Sequence, residues 1–566
     1  MPDAFAQLLD DHWDFSMRTE PVWATMTGDH RFDDRLPEAS ESSMAERAAE
    51  LQDLQRRLGA IDRLALPASD RLNYEILARA LENDIRGIGF RTYRFPVAKV
   101  GGVHTLLPDL PVIVPLETTR DLENYISRLN QVKRHLEQHI EVMRAGLDEG
   151  QIHARVALEG VDESIAAQIV ADPAESVFYK PFEERQAAGR QDGADLAEAA
   201  KQAIAQSVVP GYESLQSFFK NEYYPHSRES IAAGDLPNGR EYYRFCIRYH
   251  TTLDLTPEQV HETGQSEVRR IRAEMEAAVA KSGFEGNFRE FIAFLRSDPR
   301  FYAETPESLL RETGYLLKRI DGELPRLFRT LPRLPYGIRA VPDYSAPGET
   351  TAYYMPGSGD GTKAGFYYVN TYDLKSRPLY ELEALSLHEA VPGHHLQLAL
   401  QQELELPKLR RFTYFTAYVE GWALYAERLG LELGFYTDPY SDFGRLSYEM
   451  WRACRLVVDT GMHALGWTRQ QAIDFMLDNT SSTELNIANE IDRYIAWPGQ
   501  ALAYKIGELK IRELRARAEG ALGERFDIRA FHDVLLTSGS LPLDVLEALV
   551  DGWIAELGAK GGEAHQ

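Results

Sequence analysis

Between Leu122 and Leu147 the chain reads LENYISRLNQVKRHLEQHIEVMRAGL, with apolar residues returning every three or four positions among Glu, Arg, Gln and Asn. That recurrence matches one face of a helix of about 3.6 residues per turn, and it fills most of the chain up to residue 335. A chain patterned this way must bury helix faces against one another, so a mainly α fold is expected. Helix starts are chemically marked. Thr256-Pro257-Glu258-Gln259 offers an N-cap, a first-turn proline and an acceptor three residues after the cap. Thr305-Pro306-Glu307 and Thr468 with Gln471 repeat much of that pattern.

Pro, Gly and Asn cluster at Ala232–Arg240 (AAGDLPNGR) and again at Leu331–Ala346 (LPRLPYGIRAVPDYSA). The main boundary is placed at the second, giving a helical N-terminal region 1–335, a region 336–556 and a loose tail 557–566. Two short runs with strand character, Thr350–Met355 and Gly365–Tyr372, follow the boundary, joined by a glycine-rich PGSGDGTKA segment. The GSGDG stretch is not followed by the Lys-Ser/Thr helix start of a phosphate loop, so it reads as a mobile loop. From Tyr380 onward the pattern is helical again.

Lys and Arg number 62 against 87 Asp and Glu, so 62 − 87 = −25, a surface charge that repels nucleic acid and anionic lipid. Two cysteines, Cys246 and Cys454, exclude a disulfide framework and a cysteine-based zinc site. The first residues, MPDAFAQLLDDHWDF, lack the basic and apolar regions of a signal peptide, and no long apolar run suits a membrane span. A cytoplasmic location is expected. Neither a GxSxG elbow nor a Rossmann fingerprint competes for the function.

The informative segment is HEAVPGHHLQ, with His388, Glu389, His394 and His395 in an otherwise apolar helical stretch. Two imidazoles four residues apart on a helix reach one Zn²⁺, because they lie about 40° round and about 6 Å along the axis. Here the fourth position is Pro392. His388 and His394 would be about 120° apart on a straight helix, and His388 and His395 about 10.5 Å apart, so neither pair chelates from regular geometry. Extruding Pro392-Gly393 as a local bulge brings His394 into the missing place. His394 is therefore the preferred ligand, and His395 is read as a neighbour of the ligands or a substrate contact. The third ligand is Glu420, in YVEGWALYAERLG, 26 residues after His394; Glu427 is the expected hydrogen-bond partner of a ligating imidazole. Gly421, Ala423 and Ala426 are small enough to let two helices approach for a shared metal. Arg452, Arg455, Asp459 and His463 are read as a buried ionic network.

HEAVPGHHLQ, YVEGWALYAE, RACRLVVDTGMHALGW and NEIDRYIAWPGQALAYKIGELK resemble the signatures of the bacterial domain-of-unknown-function 885 family. The resemblance extends to PVWATMTGDHRFDD near the N-terminus and GREYYRFCIRYHTTLDLTPEQVHETG in the middle. That family is regarded as similar to helical gluzincin metallopeptidases. The resemblance implies a two-lobed helical fold with a deep central cleft and a small β-sheet beside the metal helix, residues 1–335 forming one lobe and part of the cleft. It implies one Zn²⁺ per chain on His388, His394 and Glu420, with Glu389 as general base. It also implies an oxyanion donor from the late segment, Tyr494 or Tyr504, with Arg493 or Lys505 holding a substrate carboxylate. Gluzincin-like sites align an extended peptide on a strand edge, and Gly365–Tyr372 with Asn370 is expected to supply it. The function expected is zinc-dependent hydrolysis of peptide bonds. The alternatives are a non-catalytic peptide- or metal-binding protein retaining the cleft, or a hydrolase of a non-peptide amide.

Overall fold

The patterned stretch of the N-terminal half lies within a helix, α1, Thr119–Glu149. Thr118 accepts from the Asp121 amide while the Asp121 carboxylate accepts from the Thr118 amide, and Gly150, at φ 73°, ends the helix in the left-handed region. Leu122, Tyr125, Ile126, Leu129, Val132, Leu136, Ile140 and Met143 line its buried face and enter one apolar core. Burial of each such side chain contributes about 1.5–3 kcal/mol, which no isolated helix could recover. The computed structural model describes residues 2–190, 194–343, 346, 350–357, 361 and 363–563. It is mainly helical, and the chain divides into two compact units, Met1–Tyr242 and Tyr243–Gln566.

The compact division thus lies at Tyr242, earlier than the boundary read at residue 335 and just after the first of the two Pro/Gly breaks. The reason is tertiary: helix α2, Pro257–Lys281, packs along a helix from the C-terminal half, inside the second unit. Thr256 and Gln259 form the expected capping box on α2, and Thr468 with Gln471 forms another farther on. Thr305 is also a cap, with Ser308 as its reciprocal partner.

The second unit holds one three-stranded sheet, order β1-β3-β2, from β1 Tyr336–Ala340, β2 Ala352–Met355 and β3 Gly365–Val369. β1 runs parallel to β3, pairing Tyr336 with Gly365, and β2 runs antiparallel, pairing Ala352 with Val369. The two strand-like runs are present, shortened; β1 was read as part of a break. Its arrival makes β3 the central strand, so the edge expected along Gly365–Tyr372 is occupied on both sides from Phe366 to Val369. Part of the glycine-rich loop, residues 358–360 and 362, lies outside the described residues.

After the sheet come α3 Leu382–Glu389, α4 His394–Glu403, α5 Thr416–Leu433, α6 Pro439–Ala464, α7 Glu484–Ala496 and α8 Ala503–Leu522. α6 is the helix on which α2 packs. α5 and α8 meet at Gly421 and Gly507: a Cβ on Gly507 would stand 1.9 Å from the Ala417 carbonyl oxygen, and one on Gly421 would stand 2.5 Å from the Gly507 backbone. The small residues of α5 therefore admit α8, a partner the sequence reading had not named. The last helix, Leu543–Glu563, continues through most of the expected loose tail, and residues 564–566 lie outside the described residues. No described helix is long and apolar enough to cross a membrane.

Candidate metal centre

Pro392 cannot donate an amide to a continuing helix, and α3 stops at Glu389. Four residues, Ala390–Gly393, make a turn, and α4 restarts at His394 with the His395 amide bonded back to the Ala390 carbonyl at 3.0 Å. Glycine is required at 393 because a Cβ there would lie 1.9 Å from the His388 carbonyl oxygen. The Trp422 indole of α5 donates to the Pro392 carbonyl at 2.9 Å and clamps the turn from outside. The interruption is a break and restart rather than a bulge in one helix, but its consequence matches the expectation: the His388 and His394 rings stand 4.8 Å apart at 87°.

Both imidazoles direct Nε2 at Glu420 on α5. Glu420 Oε2 is 3.6 Å from His388 Nε2 and 3.5 Å from His394 Nε2. Ligand atoms about 2.0–2.2 Å from a tetrahedral zinc are themselves about 3.4 Å apart, so this spacing fits a shared ion. Among the described residues, His388, His394 and Glu420 are the group of three or more His, Cys, Asp or Glu side chains whose ligand atoms converge, all within 4.8 Å. The other His388 nitrogen, Nδ1, is 2.7 Å from Glu427 Oε1, the carboxylate partner expected from sequence. Burial by itself would lower the His388 pKa, but contacts with Glu420 and Glu427 outweigh it and raise the value to about 9. Burial would raise Glu420, yet the two imidazoles hold it well below the carboxylate range. Such a site stores charge of both signs that a cation would rearrange.

Glu389, next to His388, is buried within the same segment. His395 turns the opposite way: Tyr354 of β2 meets its Nδ1 at 2.8 Å and Tyr336 of β1 packs on its ring at 4.7 Å. It ties α4 to the sheet, and burial lowers its pKa to about 4. Asn370 is also internal, contrary to the expected substrate contact. Its side-chain amide donates to the carbonyls of Ala346 and Thr350, and its oxygen accepts from the Tyr372 amide. A fully buried carboxamide must satisfy its donors inside the protein, and here it braces the loops around β3.

The late segment divides in the same way. Tyr494 is buried, with its hydroxyl donating to Glu490 at 2.6 Å and accepting from Arg455 and Trp451. Its hydroxyl is fully engaged in this internal network, whereas the Tyr504 phenol is pushed up by burial and raised further by the nearby Glu420 charge. The Gly421–Gly507 contact is what brings Tyr504 beside Glu420. Arg493 is bonded to Glu490 and Gln500, while Lys505 is fully buried with its ammonium 2.8 Å from Glu449, 2.8 Å from Glu508 and 3.0 Å from Glu267. Neither has charge left for a substrate carboxylate, because a desolvated cation requires its own carboxylates. Arg452, Arg455, Asp459 and His463 are all buried on α6, as expected of an internal network.

Tyr414 was not foreseen. It lies in the short connection before α5, and its hydroxyl donates to Glu420 Oε1 at 3.3 Å. Tyr414 is one of four aromatics in KLRRFTYFTAYVEG and carries no periodic or spacing signal, so nothing local distinguishes it.

The chain belongs to the family described as bacterial protein of unknown function (DUF885), whose model matches residues 21–550. Among solved structures it is similar to a protein described as a candidate lipoprotein from Colwellia psychrerythraea: 30% identity, TM-score 0.91, 98% of this chain and 99% of that one. A candidate lipoprotein of unknown function from Shewanella oneidensis shares the fold, with 20% identity, TM-score 0.69 and 96% and 99% coverage. No curated protein matches.

Proposed function

We propose that this protein is a gluzincin-like zinc-dependent hydrolase of peptide bonds. The observation that carries the reading is the convergence of His388 Nε2, His394 Nε2 and Glu420 Oε2, with His388 oriented from behind by Glu427 and Glu389 adjacent. Two imidazoles and one carboxylate, with a carboxylate-bound histidine, form a donor set typical of catalytic zinc. Zinc held there supplies Lewis acidity toward a scissile carbonyl and makes water a nucleophile near neutral pH.

The chain's own residues do the rest. Glu389 takes a proton from the attacking water and returns it to the leaving nitrogen. Tyr504 donates to the oxyanion that forms at the former carbonyl, without having to ionise. β2, an outer strand of the sheet that packs against α3, takes the role first expected of β3 and aligns an extended substrate backbone. The location is a separate matter: cytoplasm is the expectation from the N-terminal sequence, and the lipoprotein descriptions of the two solved relatives oppose it. Fractionation of cells expressing the native gene product tests it.

Elemental analysis of the purified protein should find one zinc per chain, and a broad peptide library should be cleaved. Glu389→Gln should keep the zinc and lose about 10²–10⁴-fold in rate, because the amide matches the carboxylate in shape but cannot accept the proton. A near-wild-type rate in this variant would overturn the role of Glu389. Zinc without any cleavage by the wild type would favour a binding protein.

A further inference from the structure

Glu420 has two carboxylate oxygens with different surroundings. Oε2 faces both imidazoles, at 3.6 Å and 3.5 Å. Oε1 accepts from the Tyr414 hydroxyl at 3.3 Å. The tyrosine is 51% exposed, an unusual setting for a large aromatic ring whose hydroxyl reaches an inward carboxylate.

Its backbone, by contrast, is fixed from both sides by buried groups. Gln401 of α4 donates from one amide nitrogen to the carbonyls of Arg410, Arg411 and Thr413, the last at 2.9 Å. The Gln401 oxygen accepts from Gln397 at 2.8 Å and from the Ser540 amide at 3.2 Å. Ser540 in turn accepts the Phe415 amide on its hydroxyl at 3.0 Å. Thus the residues immediately before and after Tyr414 hang on one buried scaffold that starts from the helix carrying His394. An exposed ring on a locked backbone has little freedom to place its hydroxyl elsewhere, and a carboxylate oxygen held by a phenol is not free to turn toward a neighbouring cation.

We infer that Tyr414 is a positioning residue that holds Glu420 to offering a single oxygen, Oε2, to the metal. The inference rests on the metal reading proposed above, and not on peptide cleavage. Losing the phenol frees Oε1, so Glu420 can supply both oxygens and the coordination number rises.

Cobalt(II), added to protein stripped of metal with a chelator, reports coordination number through its visible absorption, which is intense at four-coordination and weaker at five. The wild type should give the intense spectrum and Tyr414→Phe the weaker one, with zinc affinity, measured by chelator competition, falling roughly tenfold. Tyr372→Phe, at another exposed tyrosine, should match the wild type. Because the ring remains, the fold is kept; circular dichroism of the metal-free variant checks this. A Tyr414→Phe spectrum identical to wild type overturns the inference whatever the affinity does. A wild type that takes up no cobalt overturns the metal reading itself, a distinct result.

Discussion

Two histidine pairs, one in each compact unit, have almost the same internal geometry and opposite electrostatics. On α1, His135 and His139 stand 4.6 Å apart with rings at 88°; in the second unit, His388 and His394 stand 4.8 Å apart at 87°. His135 Nδ1 is bonded to the Pro37 carbonyl, and its Nε2 lies 3.3 Å from His139 Nε2. Burial lowers the His135 pKa to about 4, only partly offset by that carbonyl and by Glu38, and it lowers His139 well below its ordinary value. His388 is just as buried, yet Glu420 and Glu427 carry it to about 9. The first pair even has the regular i, i+4 spacing that the second lacks. Histidine spacing alone therefore does not set a pair's charge; carboxylates delivered from another helix do so at His388.

The largest effect that would break this comparison is on metal content. His394→Ala should weaken zinc binding by more than the roughly 100-fold that loss of a ligand's hydrogen-bond partner costs, while His139→Ala leaves it unchanged. Elemental analysis after dialysis reads both. Zinc retained by His394→Ala, or lost from His139→Ala, would reverse the assignment.

A smaller effect sharpens it. Glu427→Gln keeps the size of the side chain but removes the charge behind His388, so zinc affinity should fall about 10–100-fold in competition with a chelator. An unchanged affinity would show that a neutral partner, like the Pro37 carbonyl at His135, orients a ligand as well as a carboxylate does.

The smallest effect concerns a buried carboxylate whose hydrogen-bond donors, the Tyr243 hydroxyl and the Gly499 amide, are neutral. Burial pushes Asp459 up to about 7, against hydrogen bonds from Tyr243 and the Gly499 amide. The folded protein thus keeps a proton at Asp459 that the unfolded chain, at its ordinary 3.8, has released. Between about pH 4 and pH 7 the folded state binds more protons, so this group's contribution to stability falls as pH rises. Asp459→Asn removes that slope: its melting temperature should drop a few degrees less than wild type between about pH 5 and about pH 7.5. Parallel curves would show that Asp459 does not titrate in this range.

What the residues themselves made legible was local chemistry. The capping boxes at Thr256 and Thr468, the helix through Leu122–Leu147, the break at Pro392-Gly393 and the meeting of His388, His394 and Glu420, with Glu427 behind His388, all follow from side-chain type and spacing over short stretches. These features depend on interactions within one or two turns, or on a helix period that carries across a single connection. The chain's sequence also determined that its interior would be built from helix faces, because no other backbone buries that pattern.

Tertiary structure decided everything that depended on which element lies beside which. β1 arrives next to β3 and turns an expected edge into a central strand, and with it Asn370 into a brace. α2 packs on α6 and moves the compact division from residue 335 to Tyr242. Gly421 against Gly507 brings Tyr504 to Glu420, while Lys505, one residue on, turns into a buried cluster of Glu267, Glu449 and Glu508. Tyr494 and Tyr504 are equivalent as sequence; one is saturated by Glu490, Arg455 and Trp451, and the other lies close enough to Glu420 to feel its charge. The reason is physical: a polar group's role is set by whether its partners inside the fold leave it any bonding capacity, and several of those partners, such as Arg455 for Tyr494 and Glu449 and Glu267 for Lys505, lie tens to hundreds of residues away, where no local period or motif reaches.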